Sequence, residues 1–337
     1  MNAPRKTSYT FVLTPPEQQR LLTLLRQGNY RPVAAPHTQA AVETTDCRVN
    51  LYTSGKCLVQ GQGAEDWVLF HLEPEVLQRA ATGYESALNP DRVQPHAGVD
   101  ESGKGDFFGP LVIAAVYCDA ALAAAFDKLG VRDSKSIGSD RKILALAAEI
   151  RGLVGRRMAE IKIGPRKYNE LYAKMGNVNR MLAWGHARAI ESVLEAAPDC
   201  PRAVADQFGP KQQIERALFQ RGRKIILEQR PRAESDPAVA AASIMARAGF
   251  VQALAQFEAR YQVPFPKGAS AQVRAAAVAL VRQHGPAVLL EVAKCHFRTT
   301  DEVLAGAGAT RAELGPLGAA RSQAQRPDFK RKQEDNR

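Results

Sequence analysis

Cysteine is scarce in this chain and badly placed for either of its usual structural uses. The five cysteines, Cys47, Cys57, Cys118, Cys200 and Cys295, are odd in number and far apart. No CxxC or CxxH pair occurs among them, which argues against structural zinc and against a disulfide framework. Long apolar runs are lacking too: no stretch reads as a membrane span, and the opening MNAPRKTSYTFVLTPPEQQR has no apolar signal-peptide core. A cytoplasmic protein with no membrane partner is the resulting expectation. No internal repeat is visible, so array architectures drop out.

An excess of acid is also missing. The net charge is +11, and it is unevenly spread. Residues 1–95 hold nine Lys/Arg against nine Asp/Glu, residues 96–304 thirty against twenty-two, and residues 305–337 seven against four. A basic excess on the largest part makes a polyanionic partner, nucleic acid first, plausible.

What is present is enough apolar content, 45% of 337 residues, for a substantial core. YTFVL reads as a strand, TPPEQQRLLTLLRQG as a helix stopped by Gly28, CRVNLYTSGKCLVQGQG as a hairpin, and AEDWVLFHLEPEVLQRA as helical again. This predicts a small α+β domain over 1–84, followed by a turn-rich linker over 85–96. From residue 97 strands alternate with helices. PLVIAAVYCD, RMAEIKIGP, RAVADQF and KIILEQR are strand-like; SDRKILALAAEIRGL, NVNRMLAWGHARAIESVLEAAP and DPAVAAASIMARAGFVQALAQFEARY have helical spacing. An α/β domain over 97–304 follows, with a disordered basic tail expected over 305–337.

The chemistry concentrates in GVDESGKGDFFGPLVIAAV. Asp100 and Glu101 close the first strand of this domain, Asp206 closes RAVADQF, and Glu234 and Asp236 stand just before the helix that begins at Pro237. Strand ends of α/β sheets converge on one edge. Carboxylates meeting there repel one another unless divalent cations neutralise them. Oxygen-only donors favour Mg²⁺ or Mn²⁺ over zinc. Two such cations suit phosphodiester hydrolysis, one activating water and the other stabilising the leaving oxygen. The competing reading is a phosphate-binding loop, since GVDESGK fits GxxxxGK. Gly105 stands where that loop needs a hydroxyl, and two acids inside it would repel phosphate. Each acid taken singly also has a plain reading as a turn residue or helix cap.

At these residues the sequence resembles the type 2 ribonuclease H family, and within it the ribonuclease HIII branch. GVDESGKGDFFGPLVIAAV is similar to the family's first motif, and Lys104 between the glycines suits that branch. LGVRDSKSI, YNELYAKMGNVNRMLAWGHARAIE, VADQFGP, RAESDPAVAAASIMAR, FPKGAS and KCHFRTT resemble further family segments. The stretch LYTSGKCLVQGQGAEDWVLFHLEPE is similar to the hairpin of the TBP-like domain that accompanies ribonuclease HIII.

The resemblance implies an α/β ribonuclease H-like catalytic domain with a small N-terminal α+β TBP-like domain. It implies an enzyme that hydrolyses the RNA strand of RNA/DNA hybrids with Mg²⁺ or Mn²⁺, leaving 5′-phosphate and 3′-hydroxyl ends. Asp100, Glu101 and Asp206 match its first three metal-binding acids. Glu234 in RAES matches the fourth, with Asp236 in reserve.

Among substrate contacts, Gly103, Lys104 and Gly105 would approach the ribose, and Ser134, Lys135 and Lys267 the phosphates. Lys56 and Gln60 would grip the duplex from the N-terminal sheet. His296 and Arg298 are weaker candidates for holding substrate, and His186 beside Trp184 reads as packed structure. A monomer is expected. Two alternatives stay open: a ribonuclease HII-like enzyme that nicks at single embedded ribonucleotides, and a hybrid-binding protein without catalysis.

Overall fold

The computed structural model describes residues 7–78, 93–206, 210–230 and 233–322, and the chain divides into two units, Met1–Arg92 and Val93–Arg337. Residues 85–92 of the expected linker lie outside the described residues, and His96 already belongs to a strand.

In the first unit, β1 (Ser8–Val12), β2 (Arg31–Pro32), β3 (Thr38–Glu43), β4 (Cys47–Tyr52) and β5 (Lys56–Gly61) form an antiparallel sheet in the order β1-β5-β4-β3-β2. Strand alternation sorts its faces. Cys57 and Val59 of β5 join Val49 and Leu51 of β4 in a core with Leu21 and Leu25 of the Pro15–Gln27 helix. Lys56 and Gln60 point the other way and are exposed. The Ala64–Trp67 helix widens into a π-type segment, Val68–Leu77, with Pro74 inside it. Proline cannot donate to a regular helical ladder.

The second unit is built on β6 (His96–Ser102), β7 (Leu111–Cys118), β8 (Met158–Ile163), β9 (Arg202–Asp206) and β10 (Ile226–Arg230), ordered β10-β9-β6-β7-β8. β6, β7 and β8 run antiparallel; β9 and β10 are parallel to β6. Both faces are covered. Along β7, Val112, Ala114 and Val116 enter one core, while Leu111, Ile113 and Ala115 enter the other. The Pro237–Tyr261 helix covers the first face and the Val178–Ala196 helix the second.

The Pro237–Tyr261 helix corrects one expectation. It is long and apolar enough to span a membrane by composition, with a mean hydropathy of 1.5 over its best stretch, but 83% of that stretch is buried inside the protein. Its apolar surface is spent on the core because β6 presses directly on it. A Cβ at Gly98 would stand 2.2 Å from Ala238 C and Val239 N. Gly98→Ala is therefore expected to destabilise the protein by about 3 kcal/mol, read as a lowered midpoint in denaturant.

The helices Pro165–Met175 and Ala271–His284 have no counterpart in the sequence reading. Residues 305–322, expected to be disordered, are instead held in place. Arg311 donates to the carbonyls of Cys295 (2.8 Å) and Gly318 (2.6 Å) and pairs with Asp301. Leu314 is buried, and Ser322 N–H donates to His296 O. One guanidinium satisfying distant carbonyls orders a segment whose composition alone reads as disordered. Residues 323–337 lie outside the described residues.

Candidate active site

Neighbouring residues on a strand point to opposite faces, and this decides what an adjacent Asp-Glu pair can do. Asp100 pairs with Ala114 and Glu101 with Ile113, residues of the two opposite cores. Asp100 therefore faces the Pro237–Tyr261 helix, where the Ser243 hydroxyl lies close enough to favour its charged form. Glu101 faces the Val178–Ala196 helix, where its Oε2 lies 3.0 Å from His186 Nε2. The parallel register Val99↔Ala205 brings Asp206 beside Asp100 on the adjoining strand. A cleft of about 320 Å³ opens at this edge, lined by Asp100, Glu101, Asp206 and the 102–106 turn together with Ser134, Lys135, Ser243, Arg247, Phe250 and Lys267.

The two acids are tuned apart. Burial, then the charge of Glu101, pushes the Asp100 carboxyl up to about 7. Burial also acts on Glu101, but the hydrogen bond and charge of His186, followed by Lys104, hold it below the usual carboxylate range. Lys104 Nζ lies 3.6 Å from Glu101 Oε1. No Lys or Arg pairs with Asp100 among the described residues, and the donors at this edge are all carboxylate oxygens. That combination fits a hard divalent cation. Among the described residues no three His, Cys, Asp or Glu side chains form a closed cation cage; the acids instead bracket the strand ends from both faces.

The turn after the acids is shaped for close approach. Gly103 has φ +90°, and a Cβ there would lie 2.2 Å from Pro110 O, whereas a Cβ at Gly105 would meet nothing within 4 Å. Only glycine fits the first position, and the second leaves backbone open. The segment is held from behind. Asp106 Oδ1 accepts from Gly268 N–H (2.6 Å), and Lys294 Nζ donates to Phe108 O (2.9 Å) and Gly109 O (2.6 Å).

The remaining expected residues fall into place unevenly. Ser134, Lys135 and Lys267 all reach the cleft. The Ser134 hydroxyl already bonds Ser243 Oγ at 2.7 Å, and Lys267 Nζ is held by Asp140 at 2.5 and 2.6 Å. Glu234 does not line the cleft. It is half-buried in the Ala233–Ser235 turn, whose Ala233 N–H points at Asp206 Oδ1 (3.4 Å). Asp236 does not line the cleft either: its Oδ1 caps the Pro237–Tyr261 helix, accepting from Ala238 and Val239 N–H, and bonds His96 Nε2 at 2.8 Å. Burial opposes its charge, but those bonds hold its carboxyl below the ordinary range. Lys56 and Gln60 share the exposed face of the first unit's sheet. His296 is buried against Tyr168 and Tyr172 and does not line the cleft.

Sequence reasoning missed the contributions of His186 and Ser243, and of Arg247, whose guanidinium ties Ser134 O and Asp140 together at the cleft wall. His186 is packed, as expected, yet it also orients Glu101. His186→Ala is expected to reduce cleavage about 10–100-fold and to weaken Mn²⁺ binding in calorimetric titration. His186→Gln, which keeps a donor at that position, should restore part of both.

The chain is similar to known proteins over most of its length. Residues 97–300 match the family model for ribonuclease HII. The chain is 39% identical over 290 residues to a ribonuclease HIII of Protochlamydia amoebophila, covering 86% of this chain and 94% of that protein. It is 41% identical over 302 residues to a ribonuclease HIII of Chlamydia pneumoniae, covering 88% and 98%. Among solved structures, Bst-RNase HIII in complex with Mn²⁺ is similar, with a TM-score of 0.61 and 29% identity over 89% of this chain and 99% of that one. With matches over nearly the full length of these relatives and the acids standing at the strand ends, the chain belongs to the ribonuclease HIII family.

Proposed function

We propose that the protein cuts the RNA strand of RNA/DNA hybrids at the 100–106 cleft, with Mg²⁺ or Mn²⁺ held by Asp100, Glu101 and Asp206 and with Glu234 as the fourth acid. The observation that carries this is Asp100, a carboxyl raised to about 7 beside two further acids in a cleft with basic walls. The cations, when bound, activate water and stabilise the departing 3′-oxygen, so that 5′-phosphate ends result.

The chain's own residues do the rest. His186 and Lys104 keep Glu101 ionised and fixed, and Ser243 orients Asp100. The open backbone at Gly105 admits a ribose with its 2′-hydroxyl, the group that separates RNA from DNA. Lys135 faces the phosphates. The Lys56–Gln60 face of the first unit, whose sequence up to residue 95 has no net charge, contributes through shape and hydrogen bonding rather than field.

The test is a substrate panel with Mg²⁺, Mn²⁺ or EDTA: a continuous RNA/DNA hybrid, DNA carrying one ribonucleotide, and duplex RNA. Metal-dependent cutting of the hybrid alone is expected. Efficient nicking at the lone ribonucleotide would move the assignment to the HII-like activity. Binding without cutting at any metal concentration would leave a hybrid-binding protein. Comparing Glu234→Gln with Asp236→Asn under metal titration separates the fourth ligand from the helix cap: the first should lose activity with unchanged stability, the second should mainly lower the melting temperature.

A further inference from the structure

The Val178–Ala196 helix is buried over most of its surface, and what it leaves to solvent is chemically selective. Arg180, Trp184 and Arg188 are exposed at i, i+4 and i+8, a single stripe, while the residues between them are buried. Against its start lies the Lys211–Ala217 helix, and the two enclose a cleft of about 490 Å³ lined by Arg180, Ala183, Gln213, Arg216 and Ala217. Further along, the Arg188 guanidinium lies 5.9 Å over the ring of Phe219, which is 38% exposed.

Three guanidinium groups and two exposed aromatic rings thus share one face. No carboxylate pairs with these three arginines among the described residues. The nearby acids are engaged elsewhere: Glu191 accepts from the N–H groups of Arg221 and Gly222, and Glu195 pairs with Arg221. Gln213 Oε1 is buried in the cleft with no donor among the described residues.

The stripe's place in the fold matters as much as its chemistry. His186, two residues beyond Trp184, touches Glu101. Gly185 lies against Ile113 and His186 against Glu101, so the Arg180 turn stands on the side of the acids, and in the chain the Lys211–Ala217 helix follows β9 and its terminal Asp206.

We propose that this stripe is a track for an unpaired nucleic-acid strand running off the active-site edge. Arg180 and Arg216 take successive phosphates, Trp184 and Phe219 stack under bases, and Gln213 accepts from a base amine or a 2′-hydroxyl. Exposed rings between cations favour a single strand over a duplex, whose bases are already stacked on one another. The inference rests on the hybrid substrate proposed above, since the occupant is the single-stranded flank of that hybrid.

The full chain in EDTA is titrated by fluorescence anisotropy with a blunt RNA/DNA hybrid and with the same hybrid bearing a short single-stranded tail. The tail should tighten binding roughly tenfold. Trp184→Ala and the double variant Arg180→Ala/Arg216→Ala should each abolish that gain without altering affinity for, or cleavage of, the blunt hybrid. The double variant should also lower the salt slope for the tailed substrate by about 1.4.

In a Trp67→Phe background, a tailed hybrid or a free oligonucleotide should quench Trp184 emission. A tail that adds nothing to wild-type binding, or a gain that survives the variants, overturns the track while blunt-hybrid cleavage stays intact. Failure of the hybrid reading looks different: the blunt hybrid is neither bound nor cut, yet free single strands still quench Trp184.

Discussion

Asp100→Asn is expected to remove cleavage while making the metal-free protein more stable, and both effects share one cause. Burial, then the charge of Glu101, raises this carboxyl to about 7. In an unfolded chain an Asp titrates near ~3.9. Between those values the folded protein keeps a proton that the unfolded chain gives up, so stability falls as pH rises through roughly 4 to 7. Above that window the penalty amounts to about 2–4 kcal/mol, the lower end applying as water in the cleft reaches the carboxylate.

Asn keeps the shape and discards the charge. In EDTA at about pH 7.5 its melting temperature should exceed that of wild type by roughly 5–10 °C, and near pH 4 the two should coincide. Mn²⁺ should close the gap by raising wild type, because only wild type offers the full set of ligands. Cleavage should fall by about 4 kcal/mol of transition-state stabilisation, three orders of magnitude. Thermal melts with and without Mn²⁺ and single-turnover cleavage measure both sides. A variant less stable than wild type in EDTA would show that Asp100 is held by structure rather than strained for a cation.

Much of this site was legible because its signal is local. The pair Asp100-Glu101, the glycines at 103 and 105, and the acid that closes β9 all sit at strand ends that period-2 patterning marks in the sequence. The strand order then brings Asp206 beside Asp100 without further information.

What stayed hidden depends on pairs far apart in the chain. His186 reads as a core histidine until Glu101, 85 residues away, is placed against it. Ser243 sits in an Ala-rich helix that looks purely apolar, and only the register of that helix on β6 aims it at Asp100. Asp236 was ambiguous for the opposite reason: a carboxylate before a helix satisfies either a cap or a metal, and its bond to His96, 140 residues away, adds weight to the cap. The order of residues 305–322 was likewise invisible, because it rests on the reach of one arginine.

Lys294 poses the inverse of the Asp100 problem, and Lys294→Met should show it as a change of sign with pH. The side chain is fully buried, and burial pulls its ammonium down to about 7, against the opposing charge of Asp106. An unfolded lysine titrates near ~10.4. Between about 7 and 10 the unfolded chain holds the extra proton, so stability rises with pH across that window; below it the folded protein carries the whole cost of a buried charge, up to about 4 kcal/mol.

Methionine matches the length without charge or donors. Below pH ~7 the variant is relieved of that cost, which offsets the loss of two hydrogen bonds. By pH ~9.5 most of that cost is gone and the loss dominates, with the carbonyls of Phe108 and Gly109 left unpaired at about 1–3 kcal/mol each. Melting curves from about pH 6 to 9.5 should therefore cross: the variant is level with or above wild type at the acid end and below it at the alkaline end. Curves that run parallel would mean that the amine does not change charge in this range.

Those two carbonyls belong to the segment that continues from Gly103-Lys104-Gly105, so the variant should also raise KM for the hybrid more than it lowers kcat. Because the Asp100 contribution falls up to about pH 7 and the Lys294 contribution recovers above it, metal-free wild type should show a stability minimum near neutrality. Combining Asp100→Asn with Lys294→Met should flatten it, which places the strain of the active-site edge on these two opposed buried charges.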